Sequence, residues 1–354
     1  MRYLIAQTSF LGDVVLSTPV FAALRRHDPG AHITVMVRPE VAGILDGHPH
    51  VDAVLTDDKR GRDGGLGSWR AVRKLRAGRF DVALALHKSL RTAWVLAAAG
   101  IGRRIGFRQS AGWLLYHRRV DRNPDLHDVE RNLSILAGLG AGRDERSARP
   151  YLACPPDAVR RLHAALRQRG VDPATPLIGL APGSAWATKR WTVEGYAALL
   201  GVLRRDLGAT AVLLGAPGDA DCAEEVQRAA GGAGVNLVGC TDLGMLVAAI
   251  DQCVVLVAND SAPVHIAVAR DTPVVAIFGP TVPRQGFAPY TDRARVVERD
   301  LPCRPCSRHG GARCPLGTHA CMRDIAVGDV QRAVRDLLLQ CAGRAAPSQV
   351  RAGQ

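Results

Sequence analysis

Residues 254–283, VVLVANDSAPVHIAVARDTPVVAIFGPTVP, constrain the fold of this chain more tightly than any other stretch. Residues 254–258 are apolar and mostly β-branched, the composition of a strand buried on both faces. The run breaks at Asn259-Asp260-Ser261, residues suited to cap a helix. The short helix that follows carries His265, and a second apolar strand over 273–278 runs into Gly279-Pro280-Thr281. In an open α/β sheet, ligands sit outside the carboxyl ends of the strands. Two successive strands here deliver polar, glycine-containing loops to one edge, and backbone N–H groups at a helix start suit a phosphate. Any further βαβ unit would show the same pattern.

The chain opens in the same way. Residues 3–6 read as a strand, 7–13 as its loop and 14–26 as a helix; a second strand covers 33–37 and a third begins at Val54. This succession predicts a parallel sheet with right-handed crossovers. No GxGxxG follows the first strand, so the dinucleotide fingerprint is absent. Asp13 stands where strand hands over to helix, and is either a partner of the helix dipole or a general base. Residues 59–67 (KRGRDGGLG) read as a basic, mobile loop. A buried strand over 80–86 ends at His87, Lys88 and Arg91. With Arg104 and Arg108, these are either solvated surface charges or cations that converge on an anionic acceptor. Helices are expected over 93–99 and 125–139. The proline-bearing stretch 143–156 marks a linker, with a helix over 157–169 at the boundary.

In the second half, a strand over 177–180 ends in Pro182-Gly183-Ser184-Ala185-Trp186. The Pro-Gly-Ser turn exposes backbone amides and Lys189 adds a cation; the pair suits a diphosphate, or is an ordinary turn beside an exposed lysine. No Gly-Lys-Ser/Thr follows, so this is not a Walker A loop. Strands over 211–214 and 237–239 end in Gly215 to Asp219 and in Thr241-Asp242-Leu243. Asp219 either binds sugar or ribose hydroxyls or caps the next helix. Helices are expected over 193–205, 246–251 and 327–340.

The 354 residues suffice for two domains, and hydrophobic residues at 47% point to a soluble globular protein. No apolar run reaches about 18 residues, so no membrane span is expected, and the opening residues lack a signal-peptide pattern, which predicts a cytoplasmic protein. A net charge of +13 suggests an anionic partner, although the alanine- and arginine-rich background accounts for part of it. Aromatics at 5%, with no helix-turn-helix or RNP pattern, argue against nucleic acid. Of nine cysteines, Cys303, Cys306, Cys314 and Cys321 cluster with spacing C-x2-C-x7-C-x6-C. The cluster admits a structural zinc or iron knuckle, reduced thiols, or a disulfide.

Four segments in this order resemble glycosyltransferase family 9, the ADP-heptose:lipopolysaccharide heptosyltransferases. They are Gly12 to Pro19, Pro182 to Trp191, Asn259-Asp260-Ser261 with His265, and Phe278 to Thr281. The cysteine segment is similar to that of the heptosyltransferase II branch. The resemblance implies an α/β fold of GT-B architecture, with two Rossmann-like domains whose parallel sheets face a central cleft. An acceptor-binding domain would cover 1–160 and a nucleotide-sugar-binding domain 161–326. A helix over 327–341 would cross back to the first domain, ahead of a disordered tail over 342–354. Also implied is an inverting, metal-independent transfer of heptose from ADP-heptose to the anionic inner core of lipopolysaccharide at the cytoplasmic membrane surface. The protein would be either free in the cytoplasm or peripheral at the inner face of the inner membrane.

Under that resemblance Asp13 matches the general base, and Lys189 the cation on the diphosphate, across the cleft. Gly183, Ser184, Ala185 and Asp219 would border the donor, and Thr241 and Leu243 lie where the family contacts adenosine. Asp260, Ser261, Ala262 and His265 match D-[ST]-G-x-x-H, with Ala262 in place of the usual glycine. His87, Lys88, Arg91, Arg104 and Arg108 would meet the acceptor. The rival readings are a GT-B enzyme using a different nucleotide sugar, and a nucleotide- or sugar-binding module without turnover.

Overall fold

The computed structural model describes residues 1–58, 65–142 and 148–343. The chain forms two units: Met1–Pro156 with Arg284–Tyr290, and Asp157–Pro283 with the chain from Thr291 onward. Residues 59–64 and 344–354, where the sequence predicts a mobile loop and a tail, lie outside the described residues, as does the middle of the expected linker, 143–147.

In the first unit the strands are β1 (Arg2–Ala6), β2 (His32–Val37), β3 (Ala53–Thr56), β4 (Val82–Ala85), β5 (Arg103–Phe107) and β6 (Arg118–Val120). Every pairing is parallel and the order is β3-β2-β1-β4-β5-β6. The helices are α1 (Leu11–His27), α2 (Gly65–Gly78), α3 (Leu90–Ala98) and α4 (Asp128–Leu133). The single helix expected over 125–139 is α4 continued by a 3-10 turn, Ser134–Leu139. Ser89 starts α3 earlier than expected, because its hydroxyl accepts the Thr92 N–H at 3.1 Å.

After α5 (Pro156–Arg167), the second unit repeats the plan. Its strands are β7 (Leu177–Ala181), β8 (Thr210–Leu213), β9 (Val235–Asn236), β10 (Cys253–Asn259), β11 (Val274–Phe278) and β12 (Ala294–Glu298). They are parallel, in the order β12-β11-β10-β7-β8-β9. Between and after them lie α6 (Val193–Leu207), α7 (Ala220–Ala229), α8 (Leu243–Asp251), α9 (Ala262–Ala269), α10 (Ala320–Arg323) and α11 (Val327–Gly343). The strand expected over 237–239 lies at 235–236 instead. Both sheets reverse their winding between two central strands, β1/β4 and β7/β10, and such a switch point opens a crevice at the carboxyl edge.

The central strands are buried on both faces, which explains their unbroken apolar runs. One face of the second sheet packs under α6 and α11, with Ile178, Leu180, Val255, Val257 and Ile277 against Tyr196, Leu203, Val334 and Leu337. This corrects the expectation for the last helix. The spacing of Val330, Val334 and Leu337 lays one apolar stripe into the second unit's own core. The segment that returns to the first unit is Arg284–Tyr290. It is held there by His127, whose Nε2 donates to Ala288 O at 2.8 Å, and by Arg131, which donates to Gln285 O at 3.0 Å. Among the described residues no helix is long and apolar enough to cross a membrane.

Candidate active site

The switch point of the second unit carries the most developed constellation. The chain leaves β7 through Pro182, Gly183 and Ser184, all buried. Asn259, fully buried at the end of β10, ties this loop down. Its Nδ2 donates to Pro182 O at 2.8 Å, and its Oδ1 accepts the Trp191 N–H at 3.0 Å and the Tyr196 hydroxyl at 3.2 Å. Burial holds the Tyr196 phenol well above its ordinary pKa, so it serves as a neutral donor. Arg190 donates twice to Ser184 O, at 3.0 and 2.9 Å.

Lys189 reaches Asp260 twice, 2.6 Å to Oδ2 and 3.2 Å to the backbone carbonyl. The same Oδ2 accepts the Thr281 hydroxyl at 2.6 Å. Lysine, aspartate and threonine side chains from three loops thus meet at one edge, and Lys189 and Asp260 are only 13% and 6% exposed. At so low an exposure the pair is held more firmly than a surface ion pair. Ser261 and Ala262 open α9, Pro263 follows without an N–H to offer, and His265 is buried one turn on. A Cβ at Gly183 would lie 2.1–2.5 Å from the Asp219 carboxylate, so glycine is what lets Asp219 close on this loop. Asp219 also accepts the Ala216 N–H at 3.1 Å, its capping role. Thr241 and Leu243 flank Asp242, which caps α8 through the Met245 N–H at 2.8 Å. The buried Thr241 hydroxyl has no hydrogen-bond partner among the described residues.

For the cysteine segment the sequence admits a metal knuckle, reduced thiols or a disulfide. Among the described residues no group of three or more His, Cys, Asp or Glu is placed to hold a metal ion, although Cys303, Cys306 and Cys314 are near enough to act electrostatically on Cys321. Their environments differ. Burial pushes the Cys321 thiol up to about 11, whereas the His319 N–H, at 3.4 Å from Cys314 Sγ, is foremost in lowering the Cys314 thiol. The segment also braces the site. Arg304 donates to Thr281 O at 2.9 Å and also bonds Gly279 O. Gly311 exchanges hydrogen bonds with the Thr188 hydroxyl, and His319 Nε2 donates to Thr188 O at 2.8 Å. Neighbours of both Lys189 and Thr281 are therefore fixed from one strap. The sequence carries no local sign of this, because each contact spans 23 residues or more.

The first unit's edge is simpler. Asp13 lies in the first turn of α1, partly exposed, and its Oδ2 accepts the Phe10 N–H at 3.2 Å. His87 and Lys88 follow β4 and Arg108 follows β5, all at the carboxyl edge that also carries Asp13. Arg91 and Arg104 do not join them. Arg91 makes a bidentate pair with buried Asp57, 2.9 Å at Nη2, and Arg104 donates to Leu115 O at 2.9 Å and Ile101 O at 2.5 Å. Arg108 makes an exposed pair with Asp121 at 2.9 Å.

Comparison with known proteins bears on this arrangement. The family described as glycosyltransferase family 9 (heptosyltransferase) matches residues 68–314. The chain is 29% identical to lipooligosaccharide heptosyltransferase 2 of Haemophilus ducreyi, over 84% of this chain and 88% of that protein. The crystal structure of a family 9 glycosyl transferase from Veillonella parvula superposes with a TM-score of 0.83 at 26% identity, covering 96% of this chain and 97% of that one. That of ADP-heptose lps heptosyltransferase II from Escherichia coli superposes with 0.79 at 27% identity, covering 96% and 99%.

Proposed function

The chain belongs to glycosyltransferase family 9 (heptosyltransferase), and from that premise we propose that it transfers a heptose from ADP-heptose to the inner core of lipopolysaccharide, with inversion. The observation that carries the reading is the Lys189–Asp260–Thr281 cluster beside the amides of Gly183 to Ala185. In this reading the amides of that loop and of the α9 start receive the diphosphate, and Lys189 shares its charge between Asp260 and the nucleotide. The unpartnered Thr241 hydroxyl and Leu243 receive the adenosine.

Transfer then needs one base. The acceptor hydroxyl oxygen bonds to the anomeric carbon as the bond from that carbon to the distal phosphate oxygen breaks; Asp13 takes the hydroxyl proton, and ADP leaves with the electron pair. Charge that grows on the departing diphosphate falls on fixed amides and on Lys189, which stabilise it without reorganising. Asp260 is the group that orients Lys189. His87, Lys88 and Arg108 are assigned to the anionic groups of the acceptor, and the site of action to the cytoplasmic face of the membrane that carries it.

ADP release from ADP-heptose, measured with core acceptors of different lengths, tests the proposal. Asp13→Ala is expected to keep its affinity for ADP and to lose turnover by roughly a hundredfold to ten-thousandfold, the range for losing a general base. Undiminished turnover by that variant would remove Asp13 from the reaction. Faster turnover with UDP-sugars would reassign the donor.

A further inference from the structure

The first unit carries an apolar face that its own core does not use. Trp69 on α2 and Trp94 on α3 are 54% and 37% exposed, and their rings meet edge to face at 5.5 Å. One turn back on α3, Leu90 is 56% exposed. Leu90 in turn lies against Gly112, where a Cβ would come 3.4 Å from the Leu90 backbone. Trp113 and Leu114 follow directly, the latter 70% exposed. Trp69, Trp94, Leu90, Trp113 and Leu114 thus lie on three adjoining segments of one unit, with three of the chain's five tryptophans among them. Isolated exposed apolar residues need no explanation, but large ones gathered on adjoining segments are the kind of surface that binds a partner.

Its setting identifies the partner. Residues 65–120, which contain these side chains, hold twelve Lys and Arg and one acidic residue, Asp81, and remain strongly basic after Arg91 and Arg108 are paired with Asp57 and Asp121 just outside the segment. The Arg119 guanidinium lies 4.7 Å from the centre of the Trp113 ring and donates to Trp113 O at 3.0 Å. Arg73, one turn on from Trp69, is exposed. Tryptophan and leucine backed by arginine match the boundary between headgroups and acyl chains, where rings insert and cations meet phosphate. A second copy of this chain would bring like charge against like.

We propose that this face seats the protein on an anionic phospholipid surface. Leu90 belongs to the first turn of α3, just past β4, so the seat adjoins the edge that carries His87, Lys88 and Asp13. The purpose assigned to it, reaching a membrane-borne acceptor, rests on the proposed function; the binding itself does not.

The test is co-sedimentation of the full chain with vesicles of phosphatidylcholine alone or mixed with phosphatidylglycerol. Binding is expected on the anionic vesicles, at least about tenfold above the neutral ones, and to fall as salt rises. Trp94→Ser with Leu114→Ser should reduce it at least about tenfold, and Arg73→Glu by a smaller factor. Melting temperature and turnover on a soluble, delipidated core oligosaccharide should not change in these variants. Equal binding to neutral vesicles, or full binding by the double serine variant, overturns the proposal. So does a concentration-dependent dimer that the double variant abolishes, since the face would then pair copies. Vesicle binding that follows this pattern without any heptose transfer would sink the proposed function and leave the surface standing.

Discussion

The two units share a plan and differ in how their polar groups are employed. Each has six parallel strands and a switch point between two central ones. In the second unit the switch point is wired within the protein: Lys189, Asp260, Thr281 and Asn259 bond one another or the loops around them. In the first unit the edge offers a partly exposed carboxylate and surface cations, while its firm polar contacts, such as Arg91 with Asp57, serve the fold. Fixed amides and a fixed ammonium suit a highly charged diphosphate, since they need not reorganise to receive it. An open edge suits a larger and more variable acceptor.

The sharpest way to break this contrast is to cut the wiring. Lys189→Met leaves the Asp260 carboxylate, 6% exposed, without its cation. The expected cost is about 3–5 kcal/mol in urea denaturation, with affinity for ADP down by more than about tenfold. Lys189→Met with Asp260→Asn removes the uncompensated charge while an amide oxygen can still accept from Thr281. It should recover most of the stability and none of the ADP affinity. If the single variant is as stable as the parent, the cluster is not preorganised.

The same contrast explains what the sequence discloses. The core strands β7, β10 and β11 are legible because burial on both faces leaves an unbroken apolar run. Strands β5, β6 and β12 are not, since Arg103-Arg104, Arg118-Arg119 and Arg295 break such a run; β6 and β12 are sheet edges, where one side needs no burial. Lys189, Asp260 and Gly183 can be found because each follows closely on a legible strand. Arg304, Gly311 and His319 escape notice because they act on loops distant in sequence. Arg91 and Arg104 look like free cations in the sequence because only the fold reveals their partners.

The first unit has its own buried liability, away from the edge. His48 is 4% exposed, packed edge-on against Phe21 and Tyr151 at 5.4 and 5.6 Å. Burial lowers its pKa from 6.5 to about 4. A histidine depressed in the folded state favours folding fully above its unfolded pKa, and that contribution is lost as pH falls from 6.5 towards 4. The loss amounts to about 3 kcal/mol by pH 4. Urea midpoints from pH 7 to 4 should therefore fall less steeply for His48→Gln than for the parent. Parallel slopes would show that His48 takes up its proton without unfolding.

The smallest expected effects separate two arginines that the sequence could not tell apart. Arg91→Ala strands the buried Asp57 carboxylate, but the lost guanidinium is 26% exposed and water can take its place, so the cost should be about 2 kcal/mol, less than at Asp260. Its KM for acceptor should stay within about twofold once the variant is folded, because its guanidinium is already engaged within the protein. Arg108→Ala gives up only an exposed pair, with side chains 58% and 70% accessible, so stability should change by less than about 1 kcal/mol. Here acceptor KM should rise severalfold while ADP affinity holds, since the charge lost is one the open edge can lend to an anionic acceptor. Urea midpoints and steady-state kinetics on both variants decide the matter. A KM effect at Arg91 equal to that at Arg108 would mean that the Asp57 pair opens during turnover, and the first edge, like the second, would then draw its ligand contacts from groups that also hold the fold.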